Sequence, residues 1–351
     1  MSLRDNKFLI FDISFLIFHM STWLELRDNP KLRERYNLRT QIIRLIREFF
    51  WSAGFVETDT PAALRLPGQE PYLNPVSVTL HDERNDAHAF WLQTSPEYAM
   101  KKLLGAGYDK IFQICKCWRD GESFGGTHYP EFTMIEWYRG AADYREIMDD
   151  TEAMVKYVNQ KLNIKDKKSV IVGEWERVTM KELWKKYLNV DLDAYLTVEK
   201  MGELARSLGY AVDENDAYED VFFKIFLNKI EPNLGVERPM IVYEYPAQMA
   251  ALARKCPSDN RYAERFEVYI NGLELANAFG ELTDADEQTR RFEDEQKQRT
   301  KLGKPVFPID KELINALKCI PTAAGIALGV DRLVVILTGA GDINEVRFDS
   351  E

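Results

Sequence analysis

The segment HYPEFTMIEWYRG, residues 128–140, places a carboxylate and a phenol close together among apolar side chains. In an extended strand alternate residues face the same side, so Glu136 and Tyr138 share a face with Phe132 and Met134. The pattern has two open interpretations. It is typical of a functional site, and equally of a half-buried strand in which a nearby arginine satisfies Glu136.

A second group of charged side chains lies in ERFEVYINGLELANAFGEL, where Asn271-Gly272 predicts a two-residue hairpin turn. Such a turn predicts three cross-strand pairs: Tyr269 with Glu274, Glu267 with Ala276, and Arg265 with Ala278. One face of the hairpin would then carry three charged residues above small alanines, which suits a polar ligand. A solvated face is the alternative, and a bulge in either strand would shift the register.

In GIALGVDRL, residues 325–333, Gly325 and Gly329 stand just ahead of Asp331 and Arg332. Glycines before a helix that carries an arginine in its first turn suit a flat ligand lying on bare backbone. Taken alone, this pattern is weak support for a ligand site.

Periodicity predicts the elements that position these residues. Apolar residues recur at helical spacing from Leu38 to Phe49, and Gly54 ends that helix. In Ser95-Pro96-Glu97 the predicted N-cap is Ser95 and the first helical position is Pro96. KIFQICKCWR and the segment described first alternate as strands, so we expect an antiparallel hairpin with a long glycine-bearing loop.

More helices are predicted downstream. One runs through Ile147 and Val158, and Thr283 with Asp286 predicts a capping-box start for a helix to about residue 302. Residues from about 163 to 230 predict a mostly helical insertion. Because strands and helices do not alternate regularly, we expect an α+β fold with an antiparallel β-sheet flanked by helices, not a doubly wound sheet.

Composition narrows the class of protein. The 351 residues are 45% hydrophobic, and the net charge of −11 contrasts with the basic surplus typical of nucleic-acid-binding proteins. The four cysteines and four histidines lack zinc-ligand spacing, so we expect a reduced, cytoplasmic protein without a structural metal.

Residues 1–35 are predicted to be an N-terminal extension. Its first part, residues 1–19, is expected to be upstream or non-native sequence. The alternative is a weak membrane anchor, since the apolar run in this part is too short to span a membrane.

Taken in order, several segments resemble the motifs of the class II aminoacyl-tRNA synthetases. GFVETDTP is similar to their first motif, WRDGESFGGTHYPEF to the second and GIALGVDRL to the third. TSPEYAMKKLL, HYPEFTMIEWY and ERFEVYINGLELANAFGELTDADEQTRRF resemble the lysyl branch, and most closely its shortened paralogs, the elongation factor P–lysine ligases. The resemblance runs from about residue 36 to 348, which predicts a catalytic domain over 36–351.

The resemblance implies an AMP-forming ligase that uses ATP and Mg²⁺, in which an amino-acid carboxylate attacks the α-phosphorus of ATP. Three residues would be catalytic. Arg119 would bind the α-phosphate and the attacking carboxylate, Arg332 would stack on the adenine or reach the γ-phosphate, and Glu274 would bind Mg²⁺. Glu281 is a second implied Mg²⁺ ligand, through ATP. The other implied ATP-binding residues are Asp120, Gly121, Glu122, His128, Tyr129, Phe132, Leu275 and Gly329.

The same resemblance implies that the substrate is lysine or β-lysine. Glu97 would bind the backbone-type ammonium, while Glu281 and Tyr138 would bind the side-chain ammonium. Ala327 stands where lysyl enzymes that charge tRNA usually have glycine, a change associated in the ligase family with β-lysine. The other implied substrate residues are Ser95, Pro96 and Asn277.

The acceptor is inferred from the length of chain before the first motif. About 36 residues precede the first catalytic helix, fewer than the roughly 50 of an independent domain, so no separate anticodon-binding domain is expected there. We therefore favour a lysine side chain of elongation factor P as the acceptor over tRNA. A minimal lysyl-tRNA synthetase and a catalytically silent regulatory paralog remain as alternatives. The first motif implies a homodimer.

Three positions depart from the family pattern. Asp120-Gly121-Glu122 follows Arg119 where the family has a neutral residue and then glutamate. Tyr129 replaces an asparagine that contacts ATP, and Gly280 replaces a polar residue beside Glu281. These differences bear on the geometry of the second-motif loop and on substrate choice.

Overall fold

An eight-stranded sheet with six antiparallel strands at its centre supports the rest of the chain. The computed structural model describes residues 23–162 and 173–348, so the predictions for residues 1–19 lie outside the described residues. In spatial order the strands are β1 (Val56–Glu57), β5 (Lys110–Trp118), β6 (Glu131–Gly140), β11 (Ala323–Gly329), β10 (Leu273–Gly280), β9 (Tyr262–Ile270), β8 (Met240–Pro246) and β7 (Glu176–Thr179). The edge pairs β1–β5 and β7–β8 are parallel. This arrangement confirms the predicted α+β fold on an antiparallel sheet.

A small second sheet and a set of helices surround the large sheet. The small sheet has the order β2 (Ala63–Leu64), β4 (Ala87–Leu92), β3 (Ser77–His81). The α-helices among the described residues are α1 (Trp23–Asp28), α2 (Pro30–Ser52), α3 (Glu97–Gly105), α4 (Tyr144–Lys161), α5 (Met180–Leu188), α6 (Val198–Ser207), α7 (Tyr218–Lys229), α8 (Ala285–Lys301), α9 (Lys311–Leu317) and α10 (Val330–Thr338). In residues 23–162 and 173–348, no helix combines the length and apolar character needed to span a membrane.

The two faces of the large sheet have different roles. Helices α2, α4 and α10 cover one face and form the main hydrophobic core with the strands. Because side chains alternate along β6, Ile135 and Trp137 point into this core. Glu136 and Tyr138 point to the other face, where α3, α8 and α9 pack. The alternation predicted for this segment is therefore confirmed.

A second hydrophobic core lies at the β7–β8 end of the sheet. Helices α5, α6 and α7, from the segment predicted as an insertion, pack through Trp184, Phe222 and Phe226 against the sheet residues Tyr245 and Tyr269. Part of that segment, 163–172, lies outside the described residues. The insertion therefore has its own buried core, which is shared with β8 and β9.

A β-bulge in β10 moves the register of the β9–β10 hairpin by one residue. The observed pairs include Tyr269 with Glu274, Asn277 with Glu267, and Phe279 with Arg265. The pair nearest the turn is confirmed, whereas the two predicted alanine pairs are wrong because the bulge between Glu274 and Ala276 adds a residue to one strand. Both alanines point into the main core instead. The alternative of a solvated face is also wrong, since Arg265 and Glu267 are buried.

Two helix starts differ from prediction by one residue. Helix α8 begins at Ala285, and the carboxylate of Asp284 accepts hydrogen bonds from the amides of Asp286 and Glu287. The predicted Thr283 capping box is therefore wrong, because the next residue supplies a stronger acceptor. Helix α3 begins at Glu97 with Pro96 at the cap, although the Ser95 hydroxyl still accepts from the Glu97 amide at 3.0 Å.

Candidate active site

A cavity of about 330 Å³ opens on the sheet face opposite the main core. Its floor is formed by β6, β10 and β11, and its rim by the loop between β5 and β6 together with residues of α3 and α8. The predicted site residues that line it are Ser95, Glu97, Arg119, Glu122, His128, Tyr129, Phe132, Tyr138, Glu274, Leu275, Asn277, Glu281, Ala327, Gly329 and Arg332. The fold thus brings together residues from the second and third motifs and from the segments that resemble the lysyl branch.

Three predicted residues do not line this cavity. Asp120 and Gly121 lie on the exposed loop after β5, where the Asp120 carboxylate accepts a hydrogen bond from the Gly121 amide at 3.0 Å. Pro96 caps α3 and lines a smaller neighbouring cavity of about 60 Å³. The structure gives these three residues no contact with the main cavity, because local turn and cap geometry directs them elsewhere.

Arg119 is placed at one side of the cavity by the end of β5. Its amide donates to the Pro130 carbonyl at 2.9 Å, and its guanidinium lies 5.0 Å from the centre of the Phe132 ring. The Nε atom is buried and makes no hydrogen bond. A stacked guanidinium with a free buried donor is suited to an anionic oxygen, since arginine binds carboxylate and phosphate through parallel N–H groups.

Arg332, in the first turn of α10, joins the second- and third-motif residues. Its Nη1 donates to the Glu274 carbonyl at 2.7 Å and lies 3.5 Å from the Glu274 carboxylate. Its Nη2 lies 3.1 Å from His128 Nε2, and His128 Nδ1 lies 3.0 Å from the Glu122 carboxylate. Because arginine can only donate, the network assigns the histidine proton to Nδ1, which donates to Glu122. His128 and Glu122 therefore hold the arginine at the cavity wall.

Glu136 and Tyr138 form a buried polar pair at the other end of the cavity. Glu136 is 1% exposed and accepts hydrogen bonds from the Ser95 hydroxyl at 2.6 Å and the Tyr138 hydroxyl at 2.7 Å. Burial, helped by the nearby charge of Glu97, raises the pKa of Glu136 well above its usual range. The interpretation that an arginine satisfies Glu136 is wrong; a serine and a tyrosine do so.

Lys101 is a site residue that sequence reasoning missed. Its ammonium is 2% exposed and lies 2.6 Å from both the Glu97 and the Glu281 carboxylates. Burial opposes its charge, yet the two carboxylates raise the pKa of Lys101 above its usual value. Burial also raises the pKa of Glu281 to about 7, against the attraction of Lys101. The i,i+4 spacing of Glu97 and Lys101 on a predicted helix was the available signal.

The carboxylates predicted to bind Mg²⁺ do not come together as a pair. Glu274 and Glu281 lie at opposite ends of β10, roughly 20 Å apart at strand spacing, so one ion cannot contact both. Among the described residues, no cluster of three or more His, Cys, Asp or Glu is arranged to hold a metal. Glu267 is the carboxylate whose charge, after burial itself, most raises the pKa of Glu274. Two oxygen-donating carboxylates on one face of the hairpin fit a hard cation.

Glu267 is held rigidly, and sequence reasoning did not assign it to the metal. It is buried and accepts hydrogen bonds from the Tyr245 and Tyr269 hydroxyls at 2.7 and 2.6 Å, and from Arg265 Nη2 at 2.7 Å. Its position on the same hairpin face as Glu274 was predicted. Sequence reasoning lacked the observed register of the β9–β10 hairpin, which sets Asn277 directly opposite Glu267.

Comparison with known proteins agrees with this geometry. The family described as tRNA synthetases class II (D, K and N) matches residues 19–348. The elongation factor P–(R)-β-lysine ligase of Pasteurella multocida is 39% identical over 312 residues, covering 88% of this chain and 92% of the relative. The ligases of the same name from Avibacterium paragallinarum and Mannheimia succiniciproducens are each 38% identical, with the same two coverages. The chain therefore belongs to the elongation factor P–(R)-β-lysine ligase family of the class II tRNA synthetases.

Proposed function

We propose that the protein activates β-lysine with ATP and transfers it to a lysine side chain of elongation factor P. The observation that carries this proposal is the single cavity that joins Arg119 and Arg332 to the carboxyl groups of Glu97, Glu136 and Glu281. Arginines suit phosphates, and carboxylates suit ammonium groups. The names of the relatives supply the isomer and the acceptor.

The reaction has two steps. In the first, an oxygen of the β-lysine carboxylate attacks the α-phosphorus of ATP, forming a mixed anhydride and releasing pyrophosphate. In the second, the neutral amine of the acceptor lysine attacks the activated carbonyl carbon, forming an amide bond, releasing AMP and losing its proton. No protein nucleophile is needed, so the side chains act by orienting the groups and stabilising charge.

Arg119 and Arg332 supply that charge stabilisation. Arg119 bridges the α-phosphate and the attacking carboxylate, and its stacking on Phe132 keeps the guanidinium plane fixed. Arg332 binds the nucleotide from the other wall, held by His128 and the Glu274 carbonyl. Glu274, with Glu267 beside it, would hold the Mg²⁺ that accompanies ATP, and the ion would supply neutralisation of phosphate charge.

The amino-acid end of the cavity is specific for a cationic side chain. Tyr138 and Glu136 form a rigid pair, and Ala327 lies directly opposite Glu136 in the β6–β11 register. The methyl group of Ala327 therefore occupies space beside Glu136, the hydrogen-bond partner of Tyr138. This methyl group affects which substrate backbone fits the cavity, that of α-lysine or that of β-lysine.

The protein works in the cytoplasm as a homodimer in this proposal. ATP and a translation factor are both cytoplasmic substrates, and the first motif builds a dimer interface in the synthetase class it resembles. The net charge of −11 disfavours tRNA as the acceptor, because phosphate binding relies on a basic surface.

A competition between acceptors tests the proposal. The protein would be incubated in one tube with ATP, Mg²⁺, α- and β-lysine, elongation factor P and bulk tRNA, and products would be identified by mass spectrometry. We expect a β-lysine-sized mass increase on elongation factor P and none on tRNA. Label on tRNA instead would establish a minimal synthetase, and no amino-acid-dependent AMP at all would establish a silent paralog.

Two arginine variants provide the matched control. Arg119→Ala is expected to lower the rate of adenylate formation by about 10²- to 10³-fold, as for loss of one transition-state donor. Arg145→Ala removes an exposed arginine outside the cavity and is expected to retain the wild-type rate. Equal activity of both variants would remove Arg119 from the proposed mechanism.

A further inference from the structure

Two glutamates on the wall of the same cavity have no role in the mechanism above. Glu70 lies in the loop between β2 and β3, and Glu295 lies on α8. Both line the cavity together with Glu97 and Arg119. They are far apart in sequence and reach the cavity from different elements, so their meeting there is a property of the fold.

Neither carboxylate has a counter-ion in the structure. The Oε2 atoms of Glu70 and Glu295 are buried and make no hydrogen bond. Within residues 23–162 and 173–348, no lysine, arginine or histidine forms an ion pair with either residue. Burying a carboxylate without a partner is costly, because water solvates the charge far better than a protein interior does.

Two of the nearby cations, Arg299 and Lys304, are directed to backbone carbonyls instead. Arg299 donates to the carbonyls of Pro305, Glu70 and Leu73, at 2.6, 2.8 and 3.2 Å. Lys304 donates to the Pro71 carbonyl at 2.8 Å. These bonds fix the loop that carries Glu70 and leave the two carboxyl groups without an ion-pair partner at the cavity wall.

The two glutamates are close enough to affect each other. Burial first, and then the charges of Glu70 and Glu97, raise the pKa of Glu295 to about 8. The pKa of Glu70 is likewise raised by burial and by Glu97. Tyr98, whose hydroxyl accepts from the Gln69 amide, has its pKa raised by burial and by the same glutamates. Three carboxylates therefore converge on one region of the cavity.

The backbone leaves room for this arrangement. A Cβ atom at Gly68 would lie 2.2 Å from Glu70 Oε2, so only glycine allows the carboxylate to lie where it does. The φ angle of Gly68 is not in the left-handed region, and space alone accounts for the glycine. The position of the Glu70 carboxylate is thus built into the loop.

The ion pairs of Lys101 explain why a bound alkylammonium group needs a further carboxylate in the cavity. Its ammonium already pairs with both Glu97 and Glu281, the two carboxylates assigned to the ammonium groups of the substrate. An arriving alkylammonium brings three N–H donors and needs acceptors that are not already paired with a cation of the protein. Glu70 and Glu295 are carboxylates of this kind in the cavity.

We propose that Glu70 and Glu295 form an additional alkylammonium subsite of the reaction cavity. The group bound there is either the amino group near the carboxylate of the amino acid or the side-chain ammonium of the acceptor lysine before it loses its proton. This inference rests on the proposed function, since both sources are substrates of that reaction.

The test uses the full-length protein and three isosteric variants. Glu70→Gln and Glu295→Gln remove one charge each, and Glu293→Gln removes an exposed charge from the same helix as a matched control. Gly68→Ala is a fourth variant, which displaces the Glu70 carboxylate without removing its charge. Binding of β-lysine is measured by calorimetry, adenylate formation by pyrophosphate exchange, and transfer to elongation factor P in a single turnover.

The two sources give different results. If the amino acid supplies the ammonium, the Kd and KM for β-lysine rise at least tenfold in the Glu70 and Glu295 variants. The KM for 6-aminohexanoate, which lacks the amino group near the carboxylate, then stays within twofold of wild type. If the acceptor supplies it, exchange is unchanged and the transfer rate falls at least tenfold. Either pattern, with Glu293→Gln at wild-type values, supports the subsite.

Two results would overturn the subsite. One is wild-type binding, exchange and transfer in both variants; the other is an equal loss for β-lysine and 6-aminohexanoate with normal transfer, which indicates a structural role. Failure of the wild-type protein to exchange with any diamino acid would refute the proposed function instead. Calorimetry needs no turnover, so the Kd for β-lysine would still decide the subsite.

Discussion

Gly325 determines where Tyr138 can lie. A Cβ atom at position 325 would be 2.2 Å from Cδ1 of the Tyr138 ring and 2.8 Å from Oε1 of Glu281. The ring is buried and its hydroxyl is fixed on Glu136, so it cannot move aside without loss. Glycine at this position thus serves the site directly, through contact with two side chains that we assign to substrate binding.

We expect Gly325→Ala to lower the free energy of unfolding by about 1–3 kcal/mol, as for overpacking in a buried site. The KM for β-lysine should rise about tenfold or more, because the phenol and the carboxylate both shift. Denaturant unfolding and pyrophosphate exchange would measure the two effects. Gly329→Ala is the stability control, since its Cβ would meet only ordinary contacts at 3.5 Å; equal stability of the two variants would argue against the steric explanation.

Glu295 should make stability depend on pH. Its folded-state pKa is about 8, against 4.5 for the free side chain, so between these values the folded protein holds a proton that the unfolded chain has lost. Stability contributed by this group is therefore present below about pH 4.5 and decreases as pH rises toward 8. Burial of the carboxyl group is the main cause, and repulsion by Glu70 and Glu97 adds to it.

We expect Glu295→Gln to stabilise the free protein at pH 8 and above, by about 1–3 kcal/mol after allowance for partial solvation. The gain should shrink as pH falls toward 5. Melting curves of both proteins across this pH range would show it, with Glu293→Gln as the control. A stability difference that does not vary with pH would contradict the shifted pKa.

At the scale of elements, one buried carboxylate ties three of them together. Asp331 of α10 pairs with Arg39 of α2 and accepts from the Thr133 amide of β6 at 2.8 Å. Arg39 also donates to the Thr133 hydroxyl at 2.7 Å. Asp331 and Arg39 are almost fully buried. This network fixes α10, and therefore Arg332 in its first turn, against the sheet.

Asp331→Ala should cost about 3–5 kcal/mol of unfolding free energy, because it leaves the Arg39 charge buried and unpaired. Denaturant titration followed by circular dichroism would measure the change. Asp294→Ala, which breaks an exposed pair with Lys297, is expected to cost under about 1 kcal/mol. Similar costs for the two substitutions would mean that the buried network does not secure α10.

The elements were predictable where local signals decide them, and less so where tertiary contacts do. Asn271-Gly272 gave the right hairpin because both residues adopt the positive φ values that its turn requires. The bulge after Glu274 could not be predicted, since nothing in ELANAF marks which residue is unpaired. The register error then hid the fact that Asn277 and Glu267 face each other across the hairpin.

The candidate site shows the same division. Motif residues such as Arg119, Glu97 and Arg332 were found by resemblance, because their spacing identifies them. Glu70 and Glu295, which line the cavity, and Lys101, which pairs with two carboxylates that do, were missed, since a lone charged residue in a loop or helix looks like any solvated side chain. Only their convergence in three dimensions separates them from the exposed charges of the same elements.

At the scale of the whole molecule, an apolar surface lies where the first motif meets solvent. Trp51 at the end of α2 is 52% exposed, and Val56 of β1 is 50% exposed. Neighbouring large apolar side chains on a surface indicate a contact with another molecule. This position agrees with the homodimer that we propose.

We expect Trp51→Glu to shift the protein from dimer to monomer at micromolar concentration, because the substitution would bury a charge in the interface. Sedimentation velocity would measure the shift. Tyr108→Glu, at another exposed aromatic residue, is the control and should leave the mass unchanged. A monomeric wild-type protein, or a dimeric Trp51→Glu variant, would contradict this interface.

The packing of the insertion helices links their stability to nucleotide binding in the cavity. Tyr245 and Tyr269 are packed by α5–α7, yet their hydroxyls hold Glu267, which shares a hairpin face with the cavity residue Glu274. Transient opening of these helices would release Glu267 and weaken the hold on a bound nucleotide and its cation. By linkage, a bound nucleotide would slow amide hydrogen exchange in helices that do not line the cavity. The stability of the insertion helices would in this way affect the affinity of the distant cavity for nucleotide.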